Sequence, residues 1–183
     1  MEEELDTKRT ANNFNSASIS LNREWYAVYT VVRHEKAVNS VLVQKNIETF
    51  LPLREVLSRW KDRKKKVYLP LFPGYLFVNI RLDEILEVLN RRSVVRILGV
   101  KGVPIPVPVE QIDSIRVLLE SKIRFDPCPY FGERKEVIVV NGPLQGVRGK
   151  IAEVRGNYRL ILSVDLIQRS VSLEIDVKDV ELA

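Results

Sequence analysis

This chain of 183 residues has few of the side chains that most catalytic and metal sites require. Its one cysteine, Cys128, excludes an internal disulfide bond, and with its one histidine, His34, it cannot form a structural zinc site of the usual Cys/His type. The sequence also lacks a nucleophile-elbow motif, a dinucleotide-binding glycine fingerprint and a paired-histidine metal motif. These absences predict a protein that is not an enzyme and that needs no cofactor or metal.

Long apolar runs are absent as well. No stretch approaches the roughly 20 apolar residues that a membrane-spanning helix needs. The sequence opens on Met1 and three glutamates, the reverse of the basic start of a signal peptide. The overall content of 45% hydrophobic and 29% charged residues is typical of soluble globular proteins. We therefore expect a cytoplasmic protein with no membrane partner.

The positive charge is concentrated in one short segment. The net charge is +5, and residues 59–66 alone contain six basic side chains and one acidic one. The rest of the chain is balanced, with 23 basic and 23 acidic residues. The high pI of about 9.3 therefore indicates one basic segment and not a basic protein.

The sequence divides into a tail, two domains and a linker. Residues 1–22 are polar and without periodicity, which predicts a disordered tail. Strands and helices then alternate through residues 23–125, an α+β or α/β domain. The predicted elements are a strand at 24–30, a helix at about 33–45, an extended piece at 50–53, a strand at 67–69, a helix capped by Asp83, a strand at 94–100 and a helix from Val109.

The pattern changes after residue 125. Two prolines and a glycine between residues 126 and 132 predict a linker, which we place at 126–134. The remaining residues, 135–183, form the second predicted domain, a small β-barrel. Its five short β-rich segments are at 137–140, 150–154, 159–164, 171–175 and 177–182. The chain as a whole is therefore expected to be α+β, with an α/β sandwich followed by a small barrel.

Residues 71–78 form an aromatic strand that follows a Pro-Gly turn. Because side chains alternate between the faces of a strand, Tyr75 and Phe77 share one face, and Leu76 and Val78 share the other. The aliphatic pair fits an ordinary core. For the aromatic pair two interpretations are open: burial under a helix of the same domain, which residue types alone favour, or docking of another protein.

The second domain opens with a glycine-rich loop around Pro143, at residues 141–149. Its glycines predict a tight turn with positive φ and a close backbone approach. A phosphate-binding loop is rejected, because Leu144 stands where that motif needs glycine and Ile151 where it needs Ser or Thr.

The basic run also has two interpretations. A solvated hairpin tip is the usual fate of such charge, whereas contact with phosphates would give salt-sensitive, sequence-independent affinity for nucleic acid. Trp60 within the run is able to stack on a base or to fold back on the domain. A sparser candidate set consists of Arg33, Lys36, Arg92 and Arg96.

These motifs resemble the NusG family of transcription elongation factors. The resemblance rests on Trp25-Tyr26, the run at 71–78 and the loop at 142–149, in that order and spacing, and it covers residues 24–182. It implies an N-terminal NusG domain followed by an SH3-like KOW barrel. The segments at 60–65 and 69–72 resemble the corresponding segments of the specialised antiterminators of the RfaH and UpxY types.

The resemblance also implies partners. They are the clamp helices of the largest RNA polymerase subunit, nontemplate or upstream DNA, and a small-subunit ribosomal protein or a termination factor bound by the KOW domain. The implied polymerase-binding residues are Trp25, Tyr26, Tyr29, Phe72, Tyr75 and Phe77. The nucleic-acid-binding candidates are Arg33, Lys36, Lys45, Arg59, Lys61, Arg63, Lys64, Lys65, Lys66, Arg92 and Arg96, and the KOW loop residues are Gly142, Pro143, Gly146 and Gly149.

Two functions follow as hypotheses. The first is a transcription elongation or antitermination factor that binds polymerase and suppresses pausing or termination, while the KOW domain recruits a second factor. The alternative is a ribosome-associated KOW protein that binds RNA, for which residues 59–66 would be the main binding surface.

Overall fold

A computed structural model describes residues 22–60, 63–130, 134–154 and 156–183. The predicted disordered tail falls outside these residues, except for Asn22. Within the described ranges, no helix is both long enough and apolar enough to cross a membrane.

The N-terminal half is built on a four-stranded antiparallel sheet. Its strands are β1 (Glu24–Thr30), β2 (Glu48–Phe50), β5 (Tyr75–Ile80) and β6 (Val94–Ile97), in the spatial order β2-β5-β1-β6. The two central strands are the aromatic and β-branched runs of the sequence, as expected for residues that pack well on a pleated surface. Their register pairs Ala27 with Phe77 and Tyr29 with Tyr75.

In the described ranges, three α-helices accompany this sheet: α1 (Glu35–Gln44), α2 (Ile85–Leu89) and α3 (Val109–Ser121). Helices α1 and α2 bury their apolar residues in one cluster with Leu76 and Val78, and α3 buries its residues in another with Phe77. The sheet is therefore covered on both faces, and the predicted α+β class with its sandwich is confirmed.

Two hairpins extend from this sandwich. Strands β3 (Leu53–Trp60) and β4 (Arg63–Pro70) pair along their whole length, so the basic run occupies the distal end of a β-hairpin. A much shorter hairpin is formed by β7 (Gly99–Val100) and β8 (Val103–Pro104).

The C-terminal region forms a six-stranded antiparallel sheet in the order β14-β10-β11-β12-β13-β9. The strands are β9 (Asp126–Cys128), β10 (Glu136–Val139), β11 (Arg148–Val154), β12 (Asn157–Val164), β13 (Arg169–Glu174) and β14 (Val180–Leu182). Five of them correspond to the five predicted β segments. In β10, β12 and β13 alternate apolar residues, such as Leu160 and Leu162, are buried in one cluster, as the small β domain predicted from the sequence requires.

The predicted linker differs from the structure at its start. Asp126–Cys128 is paired with β13 in the register Val171 opposite Pro127, so these residues belong to the C-terminal sheet. Proline is tolerated there because β9 is an edge strand in the order of the sheet. Residues 131–133 of the predicted linker lie outside the described part of the chain.

Three predicted boundaries also need correction. Asp83 does not cap the second helix, because it lies inside a 3-10 turn (Leu82–Glu84), and Glu84 accepts the N–H of Arg81 instead. The predicted strand at 94–100 is broken at Leu98, where the N–H donates to the carbonyl of Ala27. The last predicted strand begins only at Val180, after a 3-10 turn (Val177–Asp179).

Candidate functional site

The two faces of the N-terminal sheet carry different side chains. Tyr75 and Phe77 lie on the face of β5 that packs with α3, and Leu76 and Val78 lie on the face that packs with α1 and α2. This division confirms the alternation predicted from the sequence. The face toward α3, together with the turn at 71–74, is called the aromatic face below.

Part of the aromatic face is deeply buried. Phe77 has no exposed surface, and Phe72 and Trp25 expose 2% and 6%. The Phe77 ring lies edge-on to Phe72 at 6.4 Å and stacks on Phe50 at 6.1 Å, distances typical of favourable aromatic pairs. For Phe77 the expectation of burial beneath a helix of the same domain is therefore correct.

Two tyrosines of the aromatic face remain half-buried. The rings of Tyr29 and Tyr75 are tilted by 44° with their centres 5.3 Å apart, and the two residues are directly opposite each other on β1 and β5. The guanidinium of Arg96, also opposite Tyr29, lies 5.7 Å from the centre of its ring. This tyrosine pair is thus the accessible part of the predicted polymerase-binding set.

Tyr26 is separated from the other five residues of that set. It points to the opposite face, where it packs with the aliphatic cluster and is 2% exposed. Burial, and then the hydrogen bond from its hydroxyl to Oε2 of Glu24 at 3.1 Å, raise the pKa of Tyr26 to about 12.

Sequence reasoning missed Arg116, which lies over the aromatic face. Its guanidinium, carried by α3, is 4.8 Å from the centre of the Trp25 ring and 5.1 Å from that of Phe50. Ion pairs to Asp113 at 3.4 Å and Glu48 at 3.8 Å hold it in place. The only local sequence signal for Arg116 is its three-residue spacing from Asp113, which favours an ion pair on a helix. The rings that it covers belong to strands far away in the sequence.

The backbone of the β3–β4 hairpin shows where the basic run lies. Strands β3 and β4 carry it, and Lys65 and Lys66 are exposed near the distal end of the hairpin. Lys66 pairs with Glu55 at 2.9 Å, and this hydrogen-bonded pair raises the pKa of the lysine. Of the other predicted contacts, Lys61 and the side chains of Arg59, Arg63 and Lys64 lie outside the described part of the structure.

The sparser basic set is only partly brought together. The loops that carry Arg33 and Arg92 are joined by a hydrogen bond from the Val31 N–H to the Ser93 carbonyl at 2.9 Å, and both arginines are exposed. Lys45 is exposed at the far end of α1, about 15 Å from its first turn.

Lys36 and Arg96 have partners within the protein. The ammonium of Lys36 donates to the carbonyl of Tyr68 at 2.5 Å, which ties α1 to the base of the hairpin. Arg96 lies over Tyr29 and so belongs to the edge of the aromatic face. Arg33 and Arg92 instead lie exposed on adjoining loops.

The glycine-rich loop has the conformation predicted for it. Gly142 and Gly146 have φ values of +83° and +86°, and the Gly146 N–H donates to Val139 at 2.8 Å. Gly149 lies within β11, where a Cβ would come within 2.8 Å of the Ile161 carbonyl oxygen. Pro143 is exposed at the tip. The loop therefore closes the β10–β11 hairpin.

Helix α3 also contacts the C-terminal sheet. Gln111 donates to the Asp165 carboxylate at 2.7 Å and accepts the backbone N–H of Asp165 at 3.1 Å. The Ser114 hydroxyl lies 3.3 Å from the Arg148 carbonyl. One apolar cluster runs from the aromatic face through α3 to the C-terminal strands. The helix thus has the aromatic face on one side and the β domain on the other.

Comparison with known proteins agrees with this architecture. The family model described as "Transcription termination factor nusG" matches residues 23–116. Transcription termination/antitermination protein NusG of Thermus thermophilus is 31% identical over 182 residues, covering 86% of this chain and 97% of that protein. Its counterpart in Helicobacter pylori strain 26695 is 28% identical over 171 residues, with the same two coverages.

A solved structure shows the same fold. It is described as "Domain interaction in Thermotoga maritima NusG" and superposes with a TM-score of 0.51 at 20% identity, covering 88% of this chain and 98% of that one. The C-terminal sheet accordingly corresponds to a KOW-like β domain. With the family model spanning the N-terminal sandwich and relatives aligned over most of the chain, this protein belongs to the NusG family of transcription termination and antitermination factors.

Proposed function

We propose that this protein is a polymerase-bound elongation or antitermination factor whose aromatic face docks on the clamp helices of the largest RNA polymerase subunit. The observation that carries the proposal is the half-buried tyrosine pair, Tyr29 and Tyr75, which lies beside a cluster of buried aromatic rings. Tyrosines that are packed on one side and exposed to solvent on the other are typical anchors of protein interfaces, because on binding they bury a large area with little loss of side-chain freedom.

The docking contact has a charged border. Arg96 lies beside Tyr29, and Arg116 lies over Trp25 and Phe50 with acidic partners close by. Cations at the edge of an aromatic patch favour a helical partner that carries carboxylates, and they act mainly on the rate and specificity of association. The apolar centre would supply most of the affinity.

Nucleic acid is the second proposed contact. Arg33 and Arg92 are exposed on adjoining loops, and the β3–β4 hairpin extends the basic run away from the sheet. Nontemplate or upstream DNA passing this side would be held through its phosphates, in a salt-dependent manner. The same geometry supports the alternative, a ribosome-associated RNA-binding protein, in which the hairpin is the main surface.

The proposed mechanism involves no bond chemistry. A protein that bridges the clamp and the DNA binds the closed, elongating polymerase more tightly than the paused one. A difference of about 1–3 kcal/mol between these states changes pausing several-fold to a hundredfold. The KOW-like domain would recruit a small-subunit ribosomal protein or a termination factor, and its attachment to the same chain raises the effective concentration of that second partner. The protein would act in the cytoplasm.

The test is binding of the full chain to its cognate core RNA polymerase at low and high salt. Tyr75→Ala should weaken binding by about 2 kcal/mol, roughly 30-fold, at both salt concentrations. Tyr158→Ala, which removes an exposed tyrosine from the C-terminal sheet, is the matched control and should bind as wild type does. Phe77→Ala is unsuitable here, because the loss of a fully buried ring perturbs folding.

Two results would refute clamp docking. The first is a wild-type protein that does not bind polymerase. The second is binding that survives Tyr75→Ala but collapses with salt. Either result favours the RNA-binding alternative, and structured ribosomal RNA would then be the next ligand to measure.

A further inference from the structure

We propose that Glu35 is a positioning residue for the polymerase-docking turn: its buried carboxyl group fixes the peptide of Gly74 and thereby sets the orientation of Tyr75. This inference rests on the docking function proposed above. Glu35 is the first residue of α1 and exposes only 2% of its surface. Its Oε1 accepts the backbone N–H of Gly74 at 2.6 Å, across 39 residues of sequence.

Gly74 is held from its other side by β1. Its carbonyl accepts the N–H of Thr30 at 2.8 Å and lies 3.4 Å from the Thr30 hydroxyl. The φ of Gly74 is +84°, and a Cβ on it would meet the Tyr29 ring at 3.1 Å. The glycine is therefore fastened to two elements in a conformation that few other residues adopt.

The geometry links this fastening to the accessible tyrosines. Tyr75 follows Gly74 directly, and its own N–H closes the turn by donating to the Phe72 carbonyl at 3.0 Å. The ring of Tyr75 faces Tyr29 at 5.3 Å. A shift of the Gly74 peptide therefore moves one ring of the tyrosine pair relative to the other.

A carboxyl group is an unusual choice for this place. Burying a polar side chain is unfavourable unless it is hydrogen-bonded, and the apolar anchoring of α1 is already provided by Val38 and Leu42. Among the described residues, Glu35 is the only charged side chain that is buried. What it supplies is an acceptor for a buried N–H that the turn itself leaves without a backbone partner.

Three variants of the full chain test the inference: Glu35→Ala, Glu35→Gln and Glu87→Gln. The last removes an exposed carboxylate from α2 and is the control. In the free protein, the amide proton shift and exchange rate of Gly74 report the hydrogen bond. Denaturant unfolding reports global stability. Affinity for core polymerase reports the positioned tyrosine.

We expect Glu35→Ala to shift the Gly74 amide proton upfield, to speed its exchange selectively and to weaken polymerase binding about tenfold or more under conditions where the variant is folded. Glu35→Gln retains an acceptor and should restore most of the Gly74 shift and of the affinity. Glu87→Gln should match wild type in all three measurements.

The inference is overturned if Glu35→Ala leaves the Gly74 amide unchanged. It is also overturned if Glu35→Ala binds polymerase as tightly as wild type does, or if its loss of binding is fully explained by the unfolded fraction. A wild-type chain that does not bind polymerase instead refutes the proposed function. The amide measurements then still decide whether Glu35 holds the turn.

Discussion

The two faces of the N-terminal sheet are both largely buried, yet they are built differently. The face under α1 and α2 is a nearly continuous aliphatic cluster in which Tyr26 is the one aromatic among the residues that the structure describes. The aromatic face packs its rings against α3, carries the guanidiniums of Arg96 and Arg116 at its border and keeps Tyr29 and Tyr75 half-buried. The first arrangement is that of an ordinary aliphatic core. The second combines buried rings with accessible ones, which is the arrangement that the proposed docking site would need.

The largest expected effect tests whether the buried rings of the aromatic face belong to the hydrophobic core. Phe77→Ala should lower the free energy of unfolding by about 3–5 kcal/mol, because it removes a fully buried ring and leaves a cavity. Leu76→Ala, the neighbouring change on the aliphatic face, should cost about 2–5 kcal/mol. Denaturant titration measures both. A much smaller effect for Phe77 would mean that the aromatic face is loosely packed.

A smaller effect is expected at Gly74, in the turn that leads into Tyr75. Gly74→Ala should destabilise the protein by about 1–2 kcal/mol, since the alanine backbone would have to keep a φ of +84° and its Cβ would press on Tyr29. Gly142→Ala is a useful comparison, because that glycine also has positive φ but a Cβ there would meet nothing within 4 Å. If the two changes are equally unfavourable, crowding by Tyr29 contributes nothing.

The cation over the aromatic face should contribute less. Arg116→Met keeps an unbranched apolar stem but removes the charge above Trp25 and Phe50, which should cost about 0.5–1 kcal/mol in the free energy of unfolding. Arg124→Met, a change of an exposed arginine just beyond α3, is the control. Equal stability of the two variants would show that the stacked guanidinium adds nothing to the fold.

The last prediction concerns an effect confined to alkaline pH, at Tyr26 on the aliphatic face. Its pKa is raised to about 12 in the folded protein, against about 10 in an unfolded chain. The folded state therefore holds the phenolic proton more tightly, so this contribution to stability is present below pH 10 and is lost as the pH rises toward 12. Tyr26→Phe should flatten that part of the stability profile. Identical profiles for both proteins would contradict the assignment.

Much of the fold followed from local patterns. The alternation of Tyr75, Leu76, Phe77 and Val78 predicted the two faces of β5, and the prolines before Val109 predicted where α3 begins. The signals failed at short elements. The sequence predicts a linker at Asp126–Cys128 because Pro127 suits a loop equally well, but pairing with a distant strand makes this segment β9.

For the candidate site, residue types alone were less informative. Five of the six predicted polymerase-binding residues share the aromatic face or its turn, but Tyr26 lies on the other side of the sheet. Side chains alternate along β1, so Tyr26 has to point away from its neighbour Trp25. The basic residues were identified by their charge alone, and charge does not show which of them are already bound to other groups of the protein. Lys36 and Lys66 turn out to bind Tyr68 and Glu55.

By itself the sequence determined the strand faces, the helix positions, the glycine turns and the concentration of charge in one hairpin. Each of these depends on neighbours a few residues apart, so a local pattern is sufficient. Only the tertiary structure decided which aromatic rings are accessible, that Arg116 lies over Trp25, and that Glu35 holds Gly74. Those contacts join residues far apart in the chain, and their geometry depends on the packing of whole helices against the sheet.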